Sequence, residues 1–364
     1  GYSKYRDILI NRYKETQDFS QGINVYIKNI TRNSNKGLWG SIYSKNSKVP
    51  DVFTTHFMPN ADKFVRKDGA ITTTTKVMID PNNPVEIRSI EIKNEGTLEE
   101  SFEITGYIEP VLSRAEEDYA HMAFNNLFLK YEKNEDNIVV KRCVRNKETR
   151  PVYLATNLVS NGEEIGDLEF EINKEKLYGG NISVPKMIKN SVPFSNNVGL
   201  VIEPCIALKR TVKVKPDEKI IINLIISVGE EKDEVIENLN KYKNFENSTR
   251  IYELSRVKSE EEARYLGVKG QEILVYQKLM SYLLFQNPIK QTKIERIKNE
   301  TFKQVKYAQR DLWKYGISGD LPILLLKVKS ANDRDIIAET LKAFEYLRTK
   351  NVYADLIILN EEEN

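Results

Sequence analysis

The first two thirds of the chain alternate between apolar and polar positions with the two-residue period of a β-strand. Lysine and threonine alternate with the apolar residues Ile206, Leu208, Val212 and Val214. This alternation gives the strand one apolar face and one solvent-exposed face. The run 220–228 is apolar on both faces and predicts a central strand that is covered on both sides. Strands joined by short turns, with no helical pattern between them, predict two stacked antiparallel sheets over residues 1–230.

Two dipeptides in this region are typical of hairpin turns. Asp68-Gly69 separates Phe64-Val65 from a run in which Ile71, Thr73 and Thr75 share one face. Asn161-Gly162 gives a similar signal further along the chain. Asp-Gly and Asn-Gly tolerate the positive φ angles of the tight turns that join paired strands, so both sites predict hairpins.

The period changes to that of a helix from Glu231 to about Phe285. Val235, Ile236 and Leu239 recur at three-to-four spacing. Asn247 or Ser248 is predicted to cap one helix, and Gly267 to end it. We interpret residues 231–300 as a helical linker.

Residues 301–364 predict a small α/β unit. Apolar runs at 321–328 and 352–359 flank a helical pattern over 333–348, which suggests two parallel strands joined by a helix. The polar stretch 286–309 is predicted to be an irregular connection. Because two parallel strands cannot cover both of their faces, we expect this unit to dock on other residues or to continue into a longer chain.

Composition and charge exclude several classes of protein. The chain has 55 Lys and Arg against 53 Asp and Glu, a net charge of +2, which argues against binding to a nucleic-acid backbone. The longest apolar run is too short to span a membrane, so we expect no direct membrane contact. Cys143 and Cys205 are predicted to be free thiols, which favours a reducing, cytoplasmic compartment. The chain does not begin with Met, and we expect it to be an excised piece of a longer polypeptide.

Common catalytic and cofactor motifs are missing. The only histidines are His56 and His121, and neither stands in a spacing typical of a metal site. There is no Gly-x-Ser-x-Gly elbow, and neither Gly179-Gly180 nor Gly316-x-x-Gly319 has the context of a phosphate-binding loop. The sequence therefore predicts no metal and no cofactor.

Four residues are the best candidates for contact with a carbohydrate. Sugars present flat C–H faces that pack on aromatic rings, which singles out Trp39 and Trp313, and His121 lies in an aromatic segment. Asp320 follows a Gly-rich turn and is also a candidate for a catalytic acid. Each has a structural alternative: core packing for the tryptophans, a structural role for His121 and a turn-capping role for Asp320.

Several segments resemble one known family. They are 1–7 (Gly-Tyr-Ser-Lys-Tyr-Arg-Asp), Arg12-Tyr13, 25–28, 37–39, 64–69, 119–128, 195–199, 312–323, 342–348 and 354–361. In order and spacing they are similar to the sandwich region of the cyclic β-1,2-glucan synthetases of glycoside hydrolase family 94, formerly glycosyltransferase family 36.

The resemblance implies a fold that is mainly β with α. It would be an antiparallel β-supersandwich of the galactose-mutarotase-like kind, followed by a helical linker and the start of the next region. The family's catalytic barrel opens with Arg-Asp-x-x-x-Asp, where this chain has Gly316-Ile317-Ser318-Gly319-Asp320. The resemblance thus implies the first, non-catalytic sandwich of a chain anchored in the inner membrane.

Three hypotheses remain at this point. The chain is a non-catalytic module that holds β-glucan near a catalytic domain of the same polypeptide. Alternatively, it is a phosphorylase or glycosidase that uses Asp320 as its general acid, or a purely structural sandwich that touches no sugar.

Overall fold

A computed structural model describes residues 3–12, 22–31, 37–42, 48–143, 150–180, 184–284, 308–330 and 333–361. The chain divides into two compact units, Gly1–Val257 and Lys258–Asn364. The predicted division into three regions at 230 and 300 remains a prediction.

The described residues of the first unit form three antiparallel sheets. The largest has eight strands in the order β11-β12-β13-β16-β8-β7-β6-β5, the second has five in the order β14-β15-β9-β3-β4, and β1, β2 and β10 form a small third sheet. The strands are β1 Lys4–Tyr5, β2 Ile8–Asn11, β3 Ile23–Asn29, β4 Leu38–Gly40, β5 Val52–Phe57, β6 Ala61–Asp68, β7 Ile71–Ile79, β8 Val85–Asn94, β9 Glu100–Ile108, β10 Pro110–Arg114, β11 Leu129–Asn134, β12 Asn137–Arg142, β13 Val152–Ser160, β14 Glu163–Asn173, β15 Pro204–Val214 and β16 Lys219–Gly229.

The core lies between the two large sheets. Ile104 and Leu208 of the five-stranded sheet and Ile90 and Leu224 of the eight-stranded sheet belong to one buried apolar cluster. The predicted mainly β fold with stacked antiparallel sheets is confirmed. The apolar run that predicts a central strand is β16, an interior strand of the eight-stranded sheet.

Helices α5 Lys232–Lys241 and α6 Phe245–Tyr265 follow the last strand of the sandwich. Val235 and Leu239 of α5 pack with Ile225 of β16 on the sheet face opposite the core, which explains why the sequence of β16 is apolar on both faces. The predicted cap of α6 is wrong: the helix begins at Phe245, and the side chain of Asn244 accepts a hydrogen bond from the Glu246 N–H. Gly267, with φ of +63°, follows the end of α6 as predicted.

The expectation that no helix interrupts the strands is wrong. Among the described residues of this region four short helices occur, α1 Ala115–Ala120, α2 Met122–Asn126, α3 Lys174–Tyr178 and α4 Lys186–Lys189. Each has four to six residues, too few for a helical period to repeat in the sequence.

One of the two hairpin predictions is confirmed. Asp68-Gly69 joins β6 to β7, which pair in the same sheet. Asn161-Gly162 instead joins β13 of the eight-stranded sheet to β14 of the five-stranded sheet. This turn carries the chain from one layer to the other, so no hairpin forms there.

The second unit contains the predicted strand–helix–strand arrangement. Strand β17 Ile323–Val328 and strand β18 Asp355–Asn360 pair in parallel, and α8 Arg334–Thr349 lies between them in sequence. The unit also contains α7 Gly270–Leu284 and a 3₁₀ helix, Gln309–Tyr315. Tyr276 of α7 and Tyr346 of α8 are buried together. The predicted irregular connection lies almost wholly outside the described residues.

Candidate functional site

A cleft of about 820 Å³ opens at one end of the first unit. Its walls come from the turn between β1 and β2, the end of β10 with α1 and α2, and the ends of β12 and β16. The lining combines aromatic rings with paired charges, and consists of Tyr5, Arg6, Asp7, Ile8, Leu112, Ser113, Arg114, Glu117, Ala120, His121, Phe124, Asn125, Arg142, Cys143, Arg150, Val152 and Glu230.

Two irregular backbone positions shape this cleft. Arg6, at the turn between β1 and β2, has φ of +56°, and Leu112 of β10 has φ of +54°. The pairing of β10 with β2 shifts register between Pro110 and Ser113. Bulges of this kind bend a strand and redirect its side chains, and here the chain leaves β10 to form α1 and α2.

A buried ionic network fixes α1 and α2 beneath the cleft. The Arg12 guanidinium donates to both carboxylate oxygens of Asp118, at 2.8 and 2.5 Å. It also donates to Glu109 at 2.7 Å and to the side-chain oxygen of Asn126 at 3.2 Å. Lys174 contributes a second cation, 3.0 Å from Glu109. Among the described residues, two cations therefore face two carboxylates, and their charges balance.

The pKa of Arg12 reflects this balance. Burial acts to lower the pKa, but the hydrogen bond with Asp118 and the charges of Glu109 and Asp118 outweigh it, so the pKa is raised. Asn125, which lines the cleft, donates to Asp118 at 3.0 Å. The network thus connects directly to the cleft floor.

Ion pairs surround the mouth of the cleft. Glu230 accepts from both Arg6 and Arg150, at 2.5 and 3.0 Å. Arg114 donates to Asp7 at 2.8 Å. Because the arginines of these pairs are exposed, solvent screens these interactions, and each contributes little to stability.

His121 lines the cleft as an exposed side chain at the junction of α1 and α2. Its backbone N–H donates to Glu117 O at 3.2 Å, and its carbonyl accepts from the Asn125 N–H at 2.9 Å. Phe124, one turn further on, is half exposed and packs edge-on against Phe128 at 5.2 Å. An imidazole and an accessible aromatic ring therefore share one wall.

Trp39 lies elsewhere, in the core. The residue is on β4, is 3% exposed, and packs edge-on against Phe102 with 6.3 Å between ring centroids. An enclosed ring has no face to offer to a sugar. The expectation that Trp39 contacts carbohydrate is therefore corrected in favour of core packing.

Trp313 and Asp320 lie together in the second unit. Trp313 is 64% exposed, and its indole N–H donates to Ser318 O at 3.2 Å. The Gln309 side chain donates to Ser318 O at 3.0 Å and to the Asp320 carboxylate at 2.9 Å. These bonds close the turn that follows the 3₁₀ helix and present an accessible indole beside a carboxylate.

The cleft contains residues that the sequence did not single out, notably Tyr5, Phe124 and Arg142. Tyr5 and Phe124 belong to two of the segments that carry the family resemblance, 1–7 and 119–128. The two segments are separate in sequence and meet at this cleft in the fold. Their part in the family resemblance was the one signal in the sequence that could have pointed to these residues.

Within the described ranges, no three His, Cys, Asp or Glu side chains are placed to hold a metal ion. None of the helices over the same residues is both long enough and apolar enough to cross a bilayer.

Comparison with known proteins places the chain among carbohydrate-active relatives. Residues 1–245 match the family described as glycosyl hydrolase 94, supersandwich domain. The chain is 26% identical to the cyclic beta-(1,2)-glucan synthase NdvB of Rhizobium meliloti (strain 1021), over 99% of this chain and 13% of that protein. The chain thus spans a small part of this relative.

Solved structures give weaker likenesses. A bacterial glucoamylase complexed with acarbose has a TM-score of 0.40 and 11% identity, covering 78% of this chain and 38% of that one. A polysaccharide lyase has a TM-score of 0.37 and 14% identity, covering 65% and 30% of the two chains.

Proposed function

Because the chain belongs to the glycosyl hydrolase 94 supersandwich domain family, we propose that it is the non-catalytic, carbohydrate-binding portion of a multidomain enzyme like the cyclic β-1,2-glucan synthases. In this role it holds β-glucan near a catalytic domain of the same polypeptide. Its match along nearly its whole length to a named glucan synthase supports this proposal.

The cleft in the first unit is the observation that carries the proposal. Its volume of about 820 Å³ lies in the range of small-molecule sites. Tyr5 and Phe124 supply rings for the C–H faces of a sugar, and His121 supplies a group for its hydroxyls. The paired arginines and carboxylates at the mouth offer further donors and acceptors.

Tethering explains how binding without catalysis would help. A glucan held on one domain is presented to a linked domain at an effective concentration set by the linker, in the millimolar range for short flexible linkers. Weak binding is then sufficient, and it also allows a growing chain to be released.

Two features favour a non-catalytic role. The cleft carboxylates Asp7, Glu117 and Glu230 all form ion pairs with arginines. Asp320, the candidate acid, is an exposed turn residue bonded to Gln309. A glycosidase needs a carboxyl group placed to protonate the leaving-group oxygen, and these carboxylates are engaged by other side chains.

A cytoplasmic location is part of the proposal. Both cysteines are free thiols, which suits a reducing compartment.

A second candidate function is docking on another domain of the same polypeptide. Leu200 and Ile202 are 90% and 77% exposed, and Ile202 O accepts a hydrogen bond from Asn126 of α2. Tyr119 and Leu127, on and just after the same short helices, are also exposed. Exposed apolar residues of this kind are typical of interaction surfaces.

Calorimetric titration with β-1,2-glucan distinguishes these functions. We expect weak binding that Phe124→Ala reduces about tenfold, equivalent to about 1.4 kcal/mol. Tyr119→Ala is the matched control, because Tyr119 is exposed on α1 but does not line the cleft. No heat with the unaltered protein would reject glucan binding and favour docking. Phosphate-dependent release of glucose 1-phosphate, abolished by Asp320→Asn, would instead establish an enzyme.

A further inference from the structure

Asn125 and Asn126 are neighbours on α2, and the fold uses their side-chain amides differently. Both residues are buried, at 3% and 7% exposed. In Asn126 both ends of the amide are engaged: Nδ2 donates to Ile202 O at 3.3 Å, and Oδ1 accepts from Arg12 at 3.2 Å. Asn126 therefore has a structural role that uses its whole amide.

Asn125 engages only the donor end of its amide. Nδ2 donates to Asp118 Oδ1 at 3.0 Å and to the carbonyl oxygen of Val111 at 3.5 Å. Within the described ranges, no N–H or O–H group donates to Asn125 Oδ1. Because an amide oxygen can accept two hydrogen bonds, the accepting capacity of this side chain is unused.

The Asn125 oxygen is open to the cleft. Asn125 is one of the residues that line the cleft of about 820 Å³. The side-chain oxygens of Asn157 and Asn223 are fully enclosed without a partner, but Asn125 Oδ1 is not enclosed in this way. Since nearly all of the residue is covered, the solvent contact of this oxygen lies on the cleft side.

Two acceptors hold the amide in this orientation. If the amide were turned over, Oδ1 would face the Asp118 carboxylate and the Val111 carbonyl, and acceptors would meet acceptors. The Asp118 carboxylate is itself fixed, because Arg12 donates to both of its oxygens. The buried network therefore presents to the cleft an oxygen that can accept a hydrogen bond but cannot donate one.

We propose that Asn125 Oδ1 accepts a hydrogen bond from one hydroxyl group of a bound glucan and makes the cleft specific for that hydroxyl. This inference rests on the proposed function. The group that reaches Asn125 must be a hydrogen-bond donor, which a sugar hydroxyl is and an ionised phosphate or carboxylate is not. A site built to pair with a hydroxyl rejects an analogue that lacks it, because the covered polar group is then left unpaired.

Calorimetric titration with β-1,2-glucan tests the residue. Asn125→Leu keeps a side chain of similar size but has no acceptor, and we expect it to weaken binding about tenfold. Asn126→Leu is the matched control, because it removes a buried amide from the same helix and the same network. It should leave the affinity within about twofold of that of the unaltered protein. Thermal unfolding shows whether each variant is folded at the temperature of the titration.

Deoxygenated ligands test the same contact without altering the protein. The monodeoxy derivatives of the β-1,2-linked glucose disaccharide each lack one hydroxyl. We expect one of them to bind the unaltered protein about tenfold more weakly than the parent disaccharide. Asn125→Leu should bind this derivative and the parent equally, because the variant has already lost the contact.

The outcomes separate this inference from the proposed function. If the unaltered protein gives no heat with glucan, the proposed function fails, and this inference fails with it. If the unaltered protein binds glucan but Asn125→Leu binds equally well, or Asn126→Leu loses as much affinity, glucan binding stands and Asn125 is not its acceptor.

A crystal structure of the complex with glucan needs no variant and decides the matter even if Asn125→Leu does not fold. A sugar hydroxyl oxygen within hydrogen-bond distance of Asn125 Oδ1 would support the assignment. A glucan bound in the cleft with no hydroxyl at that position would overturn it, and so would a deoxy series in which every derivative binds as well as the parent.

Discussion

Arg12 and Asp118 form a two-point ion pair in the interior of the first unit. Nε and Nη2 of the guanidinium bond the two carboxylate oxygens at 2.8 and 2.5 Å, and the side chains are 3% and 1% exposed. Arg12 directly follows β2, and Asp118 lies on α1. The pair therefore holds the helix that carries one wall of the cleft against the small third sheet.

Removing one partner of this pair should destabilise the first unit strongly. Asp118→Asn keeps the size of the side chain but leaves the buried Arg12 charge without its main partner, and we expect a loss of about 3–5 kcal/mol in the free energy of unfolding. Urea denaturation measures this. Asp7→Asn is the control, because Asp7 pairs with Arg114 at the surface and should change stability by less than about 1 kcal/mol. Equal effects of the two substitutions would show that the buried pair has no special role.

Substitution of the two tryptophans should affect the stability of the protein to different extents. Trp39→Ala removes a buried ring that packs on Phe102, and we expect it to destabilise the first unit by about 3–5 kcal/mol. Trp313→Ala alters an exposed side chain and should change stability by about 0.5 kcal/mol or less. Denaturation curves of the two variants test this difference. A Trp39→Ala protein of normal stability that fails to bind glucan would contradict the assignment of Trp39 to the core.

The sandwich could be predicted from the sequence because the alternation of apolar and polar residues along a strand shows which of its faces is buried. The run that forms β16 is apolar on both faces, with Leu224 in the inter-sheet core and Ile225 under α5. The turn at Asn161-Gly162 could not be assigned in the same way. A turn dipeptide specifies a local reversal of the chain, whereas the sheet that the next strand joins depends on a distant partner, here β15 for β14.

The candidate site was less accessible to prediction, because burial of a single side chain depends on contacts from distant segments. In the sequence Trp39 is a candidate for stacking on a sugar, but in the fold its ring is enclosed by Phe102 and Arg66. The partners Arg12 and Asp118 are 106 positions apart, and no local pattern connects them. His121 was singled out from its aromatic segment, and the cleft around it became visible only in the fold.

The carboxylates of Asp62 and Glu163 should change the free energy of unfolding with pH in opposite directions. Burial raises the pKa of Asp62, although the charge of Arg88 opposes this. A carboxyl group with a raised pKa in the folded state reduces stability as the pH rises through that pKa. Asp62→Asn should therefore increase stability at about pH 7 and have little effect at about pH 3, below the unfolded value near 3.9.

Glu163 provides the opposite case and the control. The hydrogen bond from Lys213 lowers the pKa of Glu163, so its stabilising effect is present above the unfolded pKa and is lost as the pH falls through the folded pKa. Glu163→Gln should thus reduce stability at about pH 7 and not at low pH. Urea denaturation at about pH 7 and about pH 3 measures the free energy of unfolding of each variant. If both substitutions change it in the same direction at about pH 7, the burial of Asp62 or the ion pair of Glu163 does not act as described.

The two cysteines offer a readout of the cleft itself. Cys143 lines the cleft and is half-buried, whereas Cys205 is fully buried and burial raises the pKa of its thiol well above the usual value. Because the thiolate is the reactive form, a thiol reagent should modify Cys143 in the native protein and Cys205 only after unfolding.

Saturating β-1,2-glucan should slow the modification of Cys143, since the sugar would cover it. Cys143→Ser identifies the reacting thiol by removing the fast phase. If glucan produces heat on binding but leaves the rate at Cys143 unchanged, the sugar binds outside this cleft.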